Sequence, residues 1–258
     1  MINKEVIRKN FSDYAAHYDA YSAVQKTCGL KLIDIIQPSR FNNILDVGCG
    51  TGAYTSLLRD KFPDAKIKAI DISQSMICVA KRKRACQKVE FIVADAEQLQ
   101  LGCNFDLISS NVTFQWFDDL EKTLLLYNEL LQKEGHIAFS IFGPRTLSEL
   151  NYSLKQLYTS NVAITSMGFV KKEKIKKILK SIFKKVLITE CVINEESSNL
   201  SELLRKIKYT GTRGVGVNAN GFWTPRTISK LEQIYYKKFS KITATYQAFF
   251  CQAVKRKK

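Results

Sequence analysis

The sequence predicts an α/β fold: a mostly parallel sheet with helices on both faces and a helical cap. Three observations carry that expectation. From residue 42 onward, short apolar runs alternate with stretches of helical periodicity. At the first junction between a run and a helix stands "LDVGCGTG" (residues 45–52), whose three glycines let the chain turn sharply. The length, 258 residues, suits one domain of this class, and a composition of 45% hydrophobic and 25% charged residues excludes wholesale disorder.

Two helices are expected first, over 4–25 and 27–36, running up to Pro38. Within the first, Phe11, Ala15, Tyr18, Ser22 and Gln25 step by four, three, four and three, which sets a phenol and an amide on one helical stripe. Strands are expected at 43–47, 66–71, 89–95, 105–110 and 136–142, with helices at 54–62, 74–85 and 120–131 between them. After Pro144 the rhythm breaks into a helix at 145–157, a basic amphipathic helix at 171–185, a strand at 186–193 and a helix at 200–209. A glycine-rich loop (211–222) then leads to a helix opened by Thr224 and Pro225, which suit an N-cap and a first turn. The last strand is expected at 242–253. With no repeat or linker to divide it, the chain reads as one domain over 1–258. Residues 1–40 form part of a lid, and 144–222 form cap elements around the sixth strand.

Charge and cysteine usage narrow the setting. Lysine and arginine number 40 against 24 acids, a net charge of +16 that favours an acidic partner. Seven cysteines without a C-x-x-C pair, and only two histidines, offer no metal constellation. Residues 1–11 mix charges and lack an apolar signal core, and no apolar run reaches the roughly 18 residues of a spanning helix. A cytoplasmic protein that does not enter the membrane is expected.

The glycine turn carries the chemistry. Gly48, Gly50 and Gly52 allow a ligand to approach the backbone, although Gly48, Gly50 and Ala53 also satisfy a dinucleotide fingerprint. Asp46, two residues upstream, repels a pyrophosphate but accepts hydrogen bonds from an ammonium. Asp71 ends the second strand, where a carboxylate suits ribose hydroxyls; Asp95 and Ala96 end the third, where one suits the amine of an adenine. Adenosylmethionine carries an ammonium and a sulfonium and no phosphate.

"LDVGCGTG", "AIDIS" (69–73) and "VADAE" (93–97) together resemble the class I adenosylmethionine-dependent methyltransferases, over residues 43–142. The resemblance implies a Rossmann-like, seven-stranded, mostly parallel sheet whose last strand is antiparallel. It also implies S-adenosyl-L-methionine (SAM) as cofactor, held by Asp46, Gly48, Gly50, Gly52, Asp71, Ile72, Asp95 and Ala96, with Asn111 at the exit of the fourth strand.

The N-terminal stripe, "SNVTFQW" (110–116) and "TLSEL" (146–150) resemble the malonyl-acyl-carrier-protein O-methyltransferases of biotin synthesis. That resemblance implies methyl transfer to the free carboxylate of a malonyl thioester, with an acidic acyl carrier protein as partner and no nucleic acid. Tyr18 and Gln115 are the expected catalytic residues, the first closing over the sulfonium end and the second orienting the carboxylate. Gln25, Trp116, Arg145, Lys208 and Arg213 are expected around the substrate. Departures from the family pattern fall at Ser22, Glu134 and Thr212. Such a carboxylate is ionised at neutral pH, so it needs no general base, and none stands out. The lysines of 171–185 are expected to steer the acidic carrier. Two other readings stand beside this one: a methyltransferase for a free small carboxylic acid of the aconitate type, and a cofactor-binding assembly factor without this activity.

Overall fold

Residues 3–37, 40–102, 104–158, 164–211 and 224–256 are described by the computed structural model. Cys103, Arg213 and most of the predicted glycine-rich loop lie outside them. One sheet organises the chain. Its strands are β1 (Asn43–Val47), β2 (Lys66–Asp71), β3 (Val89–Val93), β4 (Phe105–Asn111), β5 (Leu131–Phe142), β6 (Phe183–Ser197) and β7 (Ile242–Lys255), arranged in the order β3-β2-β1-β4-β5-β7-β6. Pairing is parallel from β3 across to β5, and β7 runs antiparallel to both β5 and β6. The connections diverge to either side of β1 and β4, and that switch point opens a crevice at the strands' carboxyl ends. The seven-stranded sheet with its antiparallel last strand is the expected one.

The helices, in chain order, are α1 (Lys4–Tyr14), α2 (Tyr18–Tyr21), α3 (Ala23–Ile35), α4 (Ala53–Lys61), α5 (Gln74–Lys81), α6 (Leu120–Leu130), α7 (Ser148–Leu157), α8 (Lys172–Ile182), α9 (Leu200–Tyr209) and α10 (Pro225–Phe239). Alternation along the strands divides the core. Ile44, Leu107, Phe142 and Phe250 pack against α3, α4, α7, α9 and α10, while Leu45, Ile108, Ile141 and Phe249 pack against α6 and α8 on the opposite face. The helix starts follow their caps: Ser73, Asp119, Asn199 and Thr224 each accept a backbone N–H from the first turn of α5, α6, α9 and α10.

Several expected boundaries move. The helix expected over 4–25 is three pieces, so Phe11, Tyr18 and Gln25 do not share one stripe. Tertiary contacts outweigh helix propensity here: Asp19 in α2 accepts from Thr51 Oγ1 (2.6 Å) and pairs with Lys83 (2.8 Å), while α3 turns in beside β4. β3 stops at Val93, and Asp95 instead caps a short 3₁₀ turn over Ala96–Gln98. The basic helix ends at Ile182; Phe183 already belongs to β6, where pairing with the long β7 holds the chain extended. That helix also lies outside the cap. Ile175, Ile178, Leu179 and Ile182 seat α8 on the α6 face, whereas the cap helices α7, α9 and α10 cover the other.

Truncating Leu179, fully buried beneath the lysines of α8, leaves a cavity. Leu179→Ala is expected to cost about 2–5 kcal/mol in urea unfolding, and Lys176→Glu on the exposed face of the same helix less than about 0.5 kcal/mol.

Candidate active site

The crevice is built from loops that meet edge to edge. Gly48 follows β1 with φ +70°, and a Cβ there would stand 2.3 Å from the Thr113 side chain. Only a glycine lets the turn after β1 press against the exit of β4, where Thr113 Oγ1 donates to the Gly48 carbonyl (3.3 Å). Gly50 also has positive φ, +53°, and its N–H donates to Asp71 Oδ2 at 2.9 Å. The other oxygen of Asp71 accepts from the Ser73 N–H (2.8 Å), so one carboxylate joins the glycine turn to the start of α5.

Two adjoining cavities, of about 100 and 330 Å³, flank this turn. They share Tyr18, Gly48, Gly50, Asn111 and Val112, which makes them two halves of one trough. The first half is lined by Asp71, Ile72, Asp95, Ala96 and Trp116, and the second by Gln25 and Tyr54. Asn111 stands at the joint, its Oδ1 accepting from Ser140 Oγ (2.7 Å) and its Nδ2 donating to the Gln25 carbonyl (2.9 Å).

Of the expected cofactor residues, Asp46 and Gly52 line neither half, Asp46 lying buried in β1 ahead of the glycine turn, whereas Gln25 lines the second half. Asp46 accepts from Thr55 Oγ1 (2.6 Å) through Oδ2, while its Oδ1 is buried and unpaired; Gln25 Oε1 is likewise buried and unpaired. Such atoms cost free energy unless a donor satisfies them, and the ammonium of SAM is a donor of the right charge. Burial, reinforced by the Asp71 charge, pushes the Asp46 carboxyl up to about 7 against the pull of Thr55. Burial likewise pushes Asp71 up to about 6, against the two amides it accepts. In the first half, carboxylates at Asp71 and Asp95 flank the apolar Ile72 and Ala96. The residues therefore fit an adenosine with an amino-acid tail.

The aromatic wall comes from three segments. Phe11 of α1 packs against Tyr18 and Trp116 with ring centroids 6.3 and 6.2 Å apart, and Phe169 meets the other side of Trp116 at 5.7 Å. Burial, with the Asp71 and Asp19 charges, pushes the Tyr18 phenol well above its ordinary range, so it stays a donor. Among the described residues nothing forms a hydrogen bond with its hydroxyl.

Other expected residues stand elsewhere. Gln115 lines neither half of the trough: its Nε2 donates to the Val112 carbonyl (2.6 Å) and its Oε1 accepts from the Phe142 N–H (3.5 Å). The reason lies in Val112, a β-branched residue held at φ +46°, clamped by this amide on its carbonyl and by its own N–H, which donates to the Ser140 carbonyl and hydroxyl oxygens. Arg145 is exposed and paired with Glu190 on β6, away from the trough. Lys208 lies over the rings of Tyr14 and Tyr209 and lines a different cavity, under the cap. Lys4 is a residue that sequence reasoning missed. From α1 it reaches Asp95 and Glu97, each at 2.7 Å, and closes one end of the first half. Thr113 and Asp19 were missed too, because no motif marks a residue whose partner is distant in the chain.

The fold and this trough define a class I, SAM-dependent methyltransferase. Residues 39–187 match the methyltransferase domain family. A malonyl-acyl-carrier-protein O-methyltransferase of Acetivibrio thermocellus is 46% identical over 156 residues, 59% of this chain and 55% of that protein. In that match the chain spans little more than half the relative's length. The enzyme of the same name from Bacillus cytotoxicus is 34% identical over 272 residues, 100% of this chain and 94% of that protein. The chain belongs to the malonyl-acyl-carrier-protein O-methyltransferase family. Among solved structures, phosphoethanolamine N-methyltransferase 2 of Haemonchus contortus, in complex with SAM, shares the fold. Its TM-score is 0.59 and its identity 18%, covering 95% of this chain and 57% of that one.

Gln115→Ala frees the strained Val112, with an expected cost of about 1–3 kcal/mol in urea unfolding. A second expectation concerns pH. Because the Asp46 and Asp71 carboxyls sit at about 7 and about 6, the folded chain keeps protons that the unfolded chain has released. Their contribution to stability is complete below about pH 4 and is lost as pH rises through about 7. Binding a cation favours ionised Asp46, so SAM affinity rises with pH across that window and protons are released. Calorimetry in two buffers of different ionisation enthalpy measures the release, and Asp46→Asn both weakens binding and flattens its pH dependence.

Proposed function

We propose that this protein transfers the SAM methyl group to the free carboxylate of a malonyl thioester borne by an acidic acyl carrier protein. The relatives so named supply the substrate class, and one observation carries the reading at the site. Tyr18, its phenol protonated and without a hydrogen-bond partner among the described residues, lines both halves of the trough, and Phe11 packs against both it and Trp116. Bound SAM supplies an electrophilic methyl on its sulfonium.

The chain's own residues bind, orient and exclude water. Asp46 and Gln25 hold the ammonium, and Asp71 the ribose. Tyr18 donates one hydrogen bond to the acceptor carboxylate, enough to orient it and too little to quench its charge. Phe11, Trp116 and Phe169 keep water from the line of attack, and no base is needed for an acceptor already ionised. Gln115 is a positioning residue, acting through Val112. α1 and α2 serve as a lid, held at one end by Lys4 on Asp95 and Glu97 and at the other by Asp19 on Thr51 and Lys83. Six free cysteines among the described residues accord with a reducing cytoplasm. Among those residues no helix is long and apolar enough to cross a membrane.

Incubation with SAM and, in parallel, malonyl-carrier protein, malonyl coenzyme A and free malonate, read by mass for one added methyl, tests the reaction. Methylation of the carrier-borne acyl group is expected; its absence overturns the proposal, and methylation of free malonate alone favours a small-acid enzyme. Tyr18→Phe is expected to lower turnover about 10- to 100-fold with SAM affinity nearly unchanged, the effect of one donor lost at the reacting group.

A further inference from the structure

A separate cavity of about 420 Å³ lies beyond the carboxyl end of β5, enclosed by α7, α9 and α10. Its walls are apolar, formed by Leu150, Leu154, Ile164 and Phe169 among others; Thr146 and Ser166 also line it, but their hydroxyls donate internally, to the Gln247 and Thr146 carbonyls. Among the described lining residues only Arg205 and Lys208 carry charge, and both belong to α9. With Ser201 they step by four and three along the helix, which turns all three toward the cavity.

The third cation of this turn has a different fate. Lys206 faces away and is committed to Glu195 and Glu202, at 3.8 and 3.2 Å. Arg205 is exposed and forms no hydrogen bond or ion pair among the described residues, and Lys208 has only the Tyr14 and Tyr209 rings beneath it. Two cations without acidic partners therefore stand at the side of an apolar slot. One wall of that cavity adjoins the trough. Phe169 lines the cavity, Trp116 lines the SAM trough, and their rings meet edge to face at 5.7 Å, so a single layer of rings divides the two spaces.

An apolar cavity with two cations on one helix and the trough behind one of its rings takes an elongated ligand with one anionic end. A carrier-protein thioester has that form: a pantetheine arm, with branched methyls and two amides, linked through a phosphodiester to the protein. We infer that the cap cavity is the channel for the phosphopantetheine arm. Arg205 and Lys208 receive the phosphate, the apolar walls take the branched methyls, and the thioester end meets the Trp116–Phe169 contact. This rests on the thioester reading above and adds to it where the arm enters and which residues read it.

Calorimetric titration of phosphopantetheine and of pantetheine into the full chain, saturated with S-adenosylhomocysteine, tests the channel without requiring any acyl group. Phosphopantetheine is expected to bind at least about tenfold more tightly, the effect of a charge-assisted phosphate contact. Arg205→Glu should abolish that preference while leaving pantetheine binding, S-adenosylhomocysteine affinity and melting temperature unchanged. Leu204→Trp, which fills the slot, should weaken both ligands. If the two ligands bind alike, or if Arg205→Glu discriminates between them as the unaltered chain does, the channel is wrong. Loss of methyl transfer to malonyl-carrier protein alongside intact phosphopantetheine binding would instead overturn the malonyl reading and leave the channel standing.

Discussion

The rest of the site depends on the contact between the turn after β1 and the exit of β4. A side chain at residue 48 would overlap Thr113, so the glycine there decides whether the two loops can meet at all. Once they meet, Asp71 fixes the turn from one side through the Gly50 N–H, and Asn111 ties the strand exit to α3 from the other. The strained Val112 is part of the same junction, held by Gln115 and Ser140. Strain of this kind, of order 1–3 kcal/mol, persists only where the surroundings over-determine it.

Such a junction is preorganised at a cost. Asp46 is buried and Asp71 half-buried beside the glycine turn, and Asp46 and Gln25 each keep an acceptor atom unpaired among the described residues. The sheet offsets this through fully buried strands: every residue of β4 except Asn111 is buried. The same burial that pushes the two carboxyls upward makes the trough most receptive to a cation, because a bound positive charge restores the interaction that water no longer provides. Selectivity for a sulfonium cofactor over a pyrophosphate follows from that sign of charge.

The positive surface divides into parts with different meanings. The lysines of α8 lie on the α6 face of the sheet, whereas the cap helices α7, α9 and α10 cover the other. Arg205 and Lys208 are few, but they line an apolar cavity whose Phe169 meets Trp116 of the trough.

Much of this was legible in the sequence. Period and turn chemistry are local properties, so β1, β2, α9 and the Thr224 cap were readable from neighbouring residues. The glycines and the carboxylates at the strand ends were legible because a backbone turn and a cation each restrict the residue types they accept. Boundaries at Tyr14, Val93 and Phe183 were not, since pairing with distant strands and hydrogen bonds from distant loops set them. Gln115 shows the limit most clearly. Its type and position in "SNVTFQW" marked it as functional, but its amide turns inward because Val112 takes a conformation no sequence pattern announces. By itself the sequence determined the sheet, the glycine turn and the cofactor's charge. Tertiary structure alone decided which side chains face the trough, which cations remain unpaired among the described residues and that Lys4 pairs with Asp95 and Glu97, because each depends on partners brought together only when the chain folds.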